Sequence, residues 1–221
     1  LSQLDNKKIV SFSDAHSPAN LGREATVFEL EKLSYDNIYK AISTIDAKNR
    51  INYTIEFFPE EGKYHWDGHR KCQVRLSPKE TKGNKGLCPK CGRKVTVGVM
   101  NRIEEIADRK EGFKPENRPP FKSLVPLEQI IGEALGIGPK TKGVKTEYDN
   151  LIAQGKNEFN ILLNLPVEKI EKMSLPKIAE GIKRMREQKL KILPGYDGEY
   201  GTVKVFEENE SKKIGQKSLF K

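Results

Sequence analysis

Apolar positions in this chain come in short bursts whose spacing changes from one half to the other. Between Leu127 and Gln188 they recur at helical intervals. Leu127, Ile130, Ile131, Ala134 and Leu135 fall on one stripe, and Ile178, Ile182 and Met185 on another. Phe159–Leu165 is an apolar run. Pro166 suits the first turn of a helix through Met173, and Ser174 with Pro176 opens the next. The rhythm is shorter towards the N-terminus. Arg50–Phe58 alternates and is rich in β-formers, which predicts a strand, and Lys8–Phe12, Val95–Val99 and Thr202–Phe206 read as shorter ones. Tyr35–Thr44 predicts a helix capped by Ser34, and Met100–Arg109 a short helix with Ile103, Ile106 and Ala107 inward. Pro18 and Gly22 mark one loop and the three prolines of Lys110–Lys122 another; from Glu207 onward the polar composition predicts a flexible tail.

Composition narrows this picture. A hydrophobic content of 36% beside 32% charged residues is lean for 221 residues, so several small cores are expected. Forty basic against 31 acidic residues leave a net charge of +9. That favours nucleic acid as a partner, although a Lys- and Glu-rich composition is also a thermophile habit. Three cysteines without disulfide-like spacing suit a reducing compartment. No run approaches eighteen apolar residues and no signal-peptide pattern occurs, so the expectation is a cytoplasmic, nucleoid-associated prokaryotic protein, archaeal in character, with no membrane partner. The chain opens on Leu1 and reads there as mid-protein sequence.

The most specific chemistry lies between Lys63 and Lys94. Cys88 and Cys91 form CPKCG, a knuckle in which Pro89 and Gly92 let two thiolates turn onto one ion. Cys72 lies sixteen positions upstream, with His69 three before it. HxxC followed by CxxC supplies the four soft or borderline donors of a structural zinc site, with His65 as the competing fourth ligand.

Other candidates are weaker. Asp14 and His16, at the end of the Lys8–Phe12 run, point to the same side of an extended backbone and can share a metal, although a DxH pair is more often a surface turn. In LGIGPKTKGV, the Gly136-Ile137-Gly138 turn between two helices makes a hairpin whose amides can cradle a phosphate, with Lys140 and Thr141 as further donors; a plain helix stop is the alternative. Lys183, Arg184, Arg186, Lys189 and Lys191 crowd the outer face and exit of the last helix, a pattern suited to phosphate contact or merely to solvent. Tyr196 and Tyr200 sit in Gly-rich turns where they can stack on bases or pack inward. Gln216, Leu219 and Phe220 resemble the start of a sliding-clamp-binding peptide.

FSDAHSPANLGREAT resembles the last metal motif of a polymerase-and-histidinol-phosphatase (PHP) domain, and FFPEEGKYHWDGHRKC, CPKCGRKVTVGVMNRIEEIADR and PGYDGEYG are similar to endonuclease Q, a PHP-domain DNA repair endonuclease family. The resemblance runs from Lys8 to Phe206. It implies a metal-dependent endonuclease that nicks 5′ of deaminated bases (uracil, hypoxanthine, xanthine) and of abasic sites. It also implies catalytic divalent ions (Mg2+, Mn2+ or Zn2+), a structural Zn2+ and contact with the sliding clamp (PCNA). Asp14 and His16 then match PHP metal ligands, while Cys72, Cys88, Cys91 and His69 match the zinc ligands. The HxH and middle ligands of a PHP domain have no counterpart in the chain, so the expectation is the C-terminal portion of such a protein, with an incomplete active centre and no activity by itself.

The fold class expected is α+β in several parts. Residues 1–48 would close a PHP-type α/β barrel, 49–99 form a small zinc-binding domain, 100–190 a helical, helix-hairpin-helix-like DNA-binding region, 191–207 a short β segment and 208–221 the tail. The competing functional reading is a zinc-containing DNA-binding accessory of a helicase or nuclease, without catalysis of its own. A PHP phosphatase for small esters is disfavoured, because such a substrate needs neither the hairpin nor the basic helix.

Overall fold

The computed structural model describes residues 1–116, 118–207 and 210. The chain forms two compact units: Leu1–Ser123 together with Pro194–Gly201, and Leu124–Leu193 together with the segment from Thr202 onward. It is a mixed α and β structure of helices and small sheets, and none of the described helices is long and apolar enough to cross a membrane.

The first unit is built on a three-stranded sheet. β1 (Ala25–Glu29) pairs antiparallel with β2 (Arg50–Glu56), with a bulge between Val27 and Phe28. Between them runs α1 (Tyr35–Ser43), whose Ser34 hydroxyl accepts the amide of Asn37 as its N-cap, with Asp36 in the first turn and Lys40 in the last, complementing the helix dipole. After β2 come the hairpin β3 (Asp67–His69) and β4 (Val74–Leu76), the short helix α2 (Pro78–Gly83) and α3 (Val99–Ile106). α2 opens on a full capping box, in which Ser77 and Glu80 each satisfy the other's backbone amide. β5 (Phe121–Ser123) then pairs parallel to β2, so the whole cysteine-bearing stretch lies inside one crossover connection. Ile51, Ile55 and Phe58 are buried from the β2 region, and a separate small core of Val74, Leu76, Cys88 and Val95 lies beneath the cysteines.

The second unit packs α4 (Leu127–Leu135), α5 (Lys142–Gly155), a π-helical turn Asn160–Asn164, α6 (Val167–Met173) and α7 (Pro176–Arg186) around fully buried Leu127, Ile130, Ile131, Leu151, Ile178 and Ile182. The hairpin of β6 (Lys191–Leu193) and β7 (Thr202–Lys204) completes it. Glu133 on α4 accepts the amides of Val205 and Phe206 at 2.7 and 3.2 Å. Gln129 donates to the carbonyl of Val203 at 2.7 Å.

Several local expectations change. Lys8–Phe12 is not a strand; its backbone is held at one point, where Ser11 exchanges hydrogen bonds with the Thr26 hydroxyl. Val95–Val99 makes only the single bridge from Thr96 to Gly68, because α3 already begins at Val99. On α3 nothing is buried: Ile103 is 44% exposed, Ala107 is exposed and Ile106 half-buried. Pro166 stands at the N-cap of α6, one residue before the first turn. Lys110–Lys122, read as a loop, ends in β5.

Candidate metal centre and nucleic-acid surface

His69 ends β3, and a 3-10 turn, Arg70–Cys72, brings Cys72 back over it. Gln73 closes that turn with φ +51°, its amide donating to the carbonyl of Arg70 at 2.9 Å, and β4 starts at once. Cys88 and Cys91 arrive on a second tight turn. The amide of Cys88 donates to the carbonyl of Arg93 at 2.7 Å, and that of Gly92 to the carbonyl of Cys88 at 2.8 Å. Gly92 takes φ +70°, a conformation that side chains other than hydrogen resist.

The two turns place one ligand atom each from His69, Cys72, Cys88 and Cys91 all within 4.8 Å of one another. Cys91 Sγ lies 3.4 Å from His69 Nδ1. Four donors around a tetrahedral zinc, with Zn–S near 2.3 Å, stand about 3.8 Å apart, so the set is of a size and chemistry that can hold a metal such as zinc. The structure gathers His69 rather than His65 into this group. Without a cation the thiols differ: Cys91's hydrogen bond and burial push Cys72 up to about 11. Burial also raises Cys88, but the amides of Lys90 and Cys91 outweigh it and bring it down to about 6.

Residues that sequence reasoning passed over hold this centre in place. Asp67, fully buried, accepts the amide of Gly98 at 2.6 Å and the Asn101 side chain at 2.7 Å. Asp197 accepts the amide of Arg70 at 2.6 Å and the Thr96 hydroxyl at 2.5 Å, thereby gripping the turn between His69 and Cys72. Burial alone would raise the carboxyl of Asp197, but those two bonds and the nearby His69 hold it below the ordinary range. An acid within a Gly-rich turn was the only signal for it, and its partners are more than a hundred residues away in sequence.

Asp14 and His16 are exposed on the loop before β1. Asp14 has φ +46°, and His16 Nδ1 lies 2.7 Å from its carbonyl oxygen. Among the described residues, no third metal-binding side chain gathers around them.

At the helical hairpin, Gly136 takes φ +69° as the C-cap of α4, and the amide of Ile137 donates to the carbonyl of Gly132. A side chain on Gly132 would press against the carbonyl of Ile137 and the backbone of Pro139, so Gly132, which sequence reading missed, lets the hairpin close. Gly136, Gly138, Lys140 and Thr141 are all exposed, and the Thr141 hydroxyl donates to the carbonyl of Gly138 at 2.8 Å.

The basic face of α7 divides. Lys183 is exposed. Arg184 is held by Glu210 and Glu180, which also raise its pKa. Arg186 turns inward to donate to the carbonyls of Leu162 and Ile161 at 2.8 and 2.7 Å, closing the π-helical turn, and burial lowers its pKa. Tyr196 is buried beneath Arg75, whereas Tyr200 is 68% exposed. Gln216, Leu219 and Phe220 lie outside the described residues.

Residues 126–189 match the family described as the MJ0043 C-terminal domain. The chain is 36% identical over 210 residues to the uncharacterized protein MJ0043 of Methanocaldococcus jannaschii, covering 91% of this chain and 26% of that one. To the uncharacterized protein YqxK of Bacillus subtilis it is 29% identical, covering 92% and 48%. The lesion-specific endonuclease PfuEndoQ from Pyrococcus furiosus superposes with a TM-score of 0.83 and 34% identity, over 97% of this chain and 53% of that one. Endonuclease Q in complex with a 27-mer duplex bearing an abasic lesion gives 0.78 and 32%, over 96% and 53%. The chain thus spans about half the length of these endonucleases and of YqxK, and about a quarter of MJ0043. Over nearly all its length the chain shares the fold of about half of endonuclease Q, and it resembles that family.

Proposed function

We propose that this protein serves DNA repair as a metal-dependent endonuclease, hydrolysing a phosphodiester 5′ of deaminated bases and abasic sites. What supports this is the likeness, at 32% identity over 96% of the chain, to an endonuclease Q that holds an abasic-lesion duplex. In this reading His69, Cys72, Cys88 and Cys91 hold a structural zinc that fixes their two turns together. Asp14 and His16 are an anionic and a neutral ligand of a PHP-type catalytic centre, where divalent ions would activate water and neutralise the scissile phosphate. The amide of Gly138 at the Gly136–Gly138 hairpin, with Lys140, Thr141 and Lys183, binds the DNA backbone, while Arg184 and Arg186 shape the helix that carries Lys183. A deaminated base would be turned out of the duplex to be read.

The test uses protein expressed from its complete reading frame and a duplex carrying one uracil, hypoxanthine or abasic site. A nick 5′ of the lesion and none in the undamaged duplex is the expected result. Asp14→Asn should lower the rate by at least about two orders of magnitude while duplex binding persists. Near-normal nicking by that variant would remove Asp14 from the metal centre. If no nicking occurs but lesion-free and lesion-bearing duplexes bind alike, the accessory-module reading takes over; it is favoured by the isolation of Asp14 and His16 from other ligands among the described residues.

The proposal extends to the sliding clamp, through Gln216, Leu219 and Phe220. Short docking peptides rest on a few buried anchors, so replacing both Leu219 and Phe220 by Ala should reduce clamp binding at least about tenfold. Equal binding before and after, measured by surface plasmon resonance, would make this segment a linker.

A further inference from the structure

Of the chain's net charge of +9, residues 63–94 alone supply +8, with ten Lys and Arg against Asp67 and Glu80. Nine of the ten are exposed, whereas Asp67 is fully buried and Glu80 is engaged in the capping box of α2. The surface around the metal centre is therefore mainly cationic, with Glu199 of the adjoining turn ion-paired to Arg70. Two open aromatic rings lie on it, Tyr64 at 52% and Tyr200 at 68% exposure.

These rings are held in place. The turn 194–201 is pinned to residues 60–66 by four backbone hydrogen bonds: Gly195 to Glu60, Gly198 to Lys63, Gly201 to Glu61 and Trp66 to Gly195, at 2.7 to 3.1 Å. Gly195 itself lies so close to the Gly62 carbonyl that no side chain would fit. Lys63 Nζ sits 4.4 Å from the centre of the Tyr200 ring, and the Tyr64 hydroxyl stands beside Gly198 in the same turn. The inward packing of this turn is already supplied by Tyr196, so Tyr200 is fixed outward on a rigid, cationic surface without serving the core.

We propose that Tyr200, with Lys63 and Tyr64, is a stacking platform for an unpaired DNA base, the flanking phosphates falling on the surrounding lysines. Every base presents a π-face, so an open ring on a basic surface takes single-stranded or displaced nucleotides regardless of sequence, while a paired base in an intact duplex offers no free face. This rests on the DNA-binding reading above.

The experiment measures fluorescence anisotropy of a labelled 12-mer oligothymidine and of an intact duplex, with the wild-type chain, Tyr200→Ala and Tyr200→Phe, across a salt series. Tyr200→Ala should weaken the oligothymidine about tenfold, leave the duplex within about twofold and leave the salt slope unchanged, because a stacked base is lost and no phosphate contact is. Tyr200→Phe should bind like the wild type, and all three proteins should melt alike. Unchanged oligothymidine affinity in Tyr200→Ala, or equal weakening of single strand and duplex, overturns the platform while the DNA-binding reading stands. Failure of the wild type to bind either DNA at low salt overturns both. Displacement of the oligothymidine by polyglutamate, with an affinity that Tyr200→Ala also lowers tenfold, would assign the surface to an acidic protein instead.

Discussion

Cys88→Ser should release the metal and unfold the cysteine-bearing stretch of the first unit. The residues from 63 to 94 sit on a core of only Val74, Leu76, Cys88 and Val95, with Cys72 packed against it. Segments below about 40 residues rarely bury enough apolar surface to fold without a metal or disulfides, and the cysteines here are free thiols. Structural zinc contributes roughly 10–16 kcal/mol of apparent binding free energy at neutral pH, and in such modules that is folding free energy. Purified protein should therefore carry about one zinc per chain. The Cys88→Ser variant should carry almost none, and the first unit should lose several kcal/mol of stability. Chelation of the wild type at elevated temperature should reproduce the loss. Zinc content and melting temperature both unchanged in the variant would show that these four side chains are not a metal site.

The second large effect expected is on Asp67. Its carboxylate is fully buried and receives the Gly98 amide and the Asn101 side chain. Asp67→Ala would strand the buried Gly98 amide and the half-buried Asn101 side chain at roughly 1–3 kcal/mol each, so a loss of about 2–5 kcal/mol is expected. That corresponds to on the order of 10 °C in melting temperature for a chain of this size. Asp67→Asn keeps one acceptor and should fall between. The neighbouring strand residue but one is His69, so Asp67→Ala should also weaken zinc retention, and Asp67→Asn should do so less. A melting temperature for Asp67→Ala within a degree or two of wild type would mean that water replaces the carboxylate.

Much of this arrangement is legible from local chemistry. Ser34 caps α1 because its hydroxyl and the following turn carry their own instructions, and CPKCG turns on itself for the same reason. The apolar stripe from Leu127 to Ala134 is buried as its spacing indicates. What periodicity does not report is the distant partner. Lys8–Phe12 has the composition of a strand, but among the described residues only the Thr26 hydroxyl hydrogen-bonds its backbone. α3 carries an apolar stripe, yet Ile103 stays 44% exposed. The cations of α7 look equivalent along the chain, yet the carbonyls of Ile161 and Leu162 draw Arg186 inward and Glu210 takes Arg184, so only Lys183 keeps the exposed position. Tyr196 and Tyr200 are likewise indistinguishable in sequence. Their opposite fates follow from Gly68, whose missing side chain leaves room for the ring of Tyr196 alone.

The order in which the ribosome delivers the first unit is unusual. His69 emerges more than a hundred residues ahead of Asp197, the carboxylate that grips its turn. At roughly 5–20 residues per second, the interval is on the order of ten seconds. During it the knuckle can close on an ion while the seat at Gly68 still waits for Tyr196. Gene segments ending anywhere between Thr96 and Tyr196 would keep all four metal-binding side chains yet leave the Arg70 amide and the Thr96 hydroxyl without their acceptor, Asp197. The two units interleave along the chain, and a working excision of the first must join Ser123 to Pro194 and end at Gly201 rather than stop at the last cysteine.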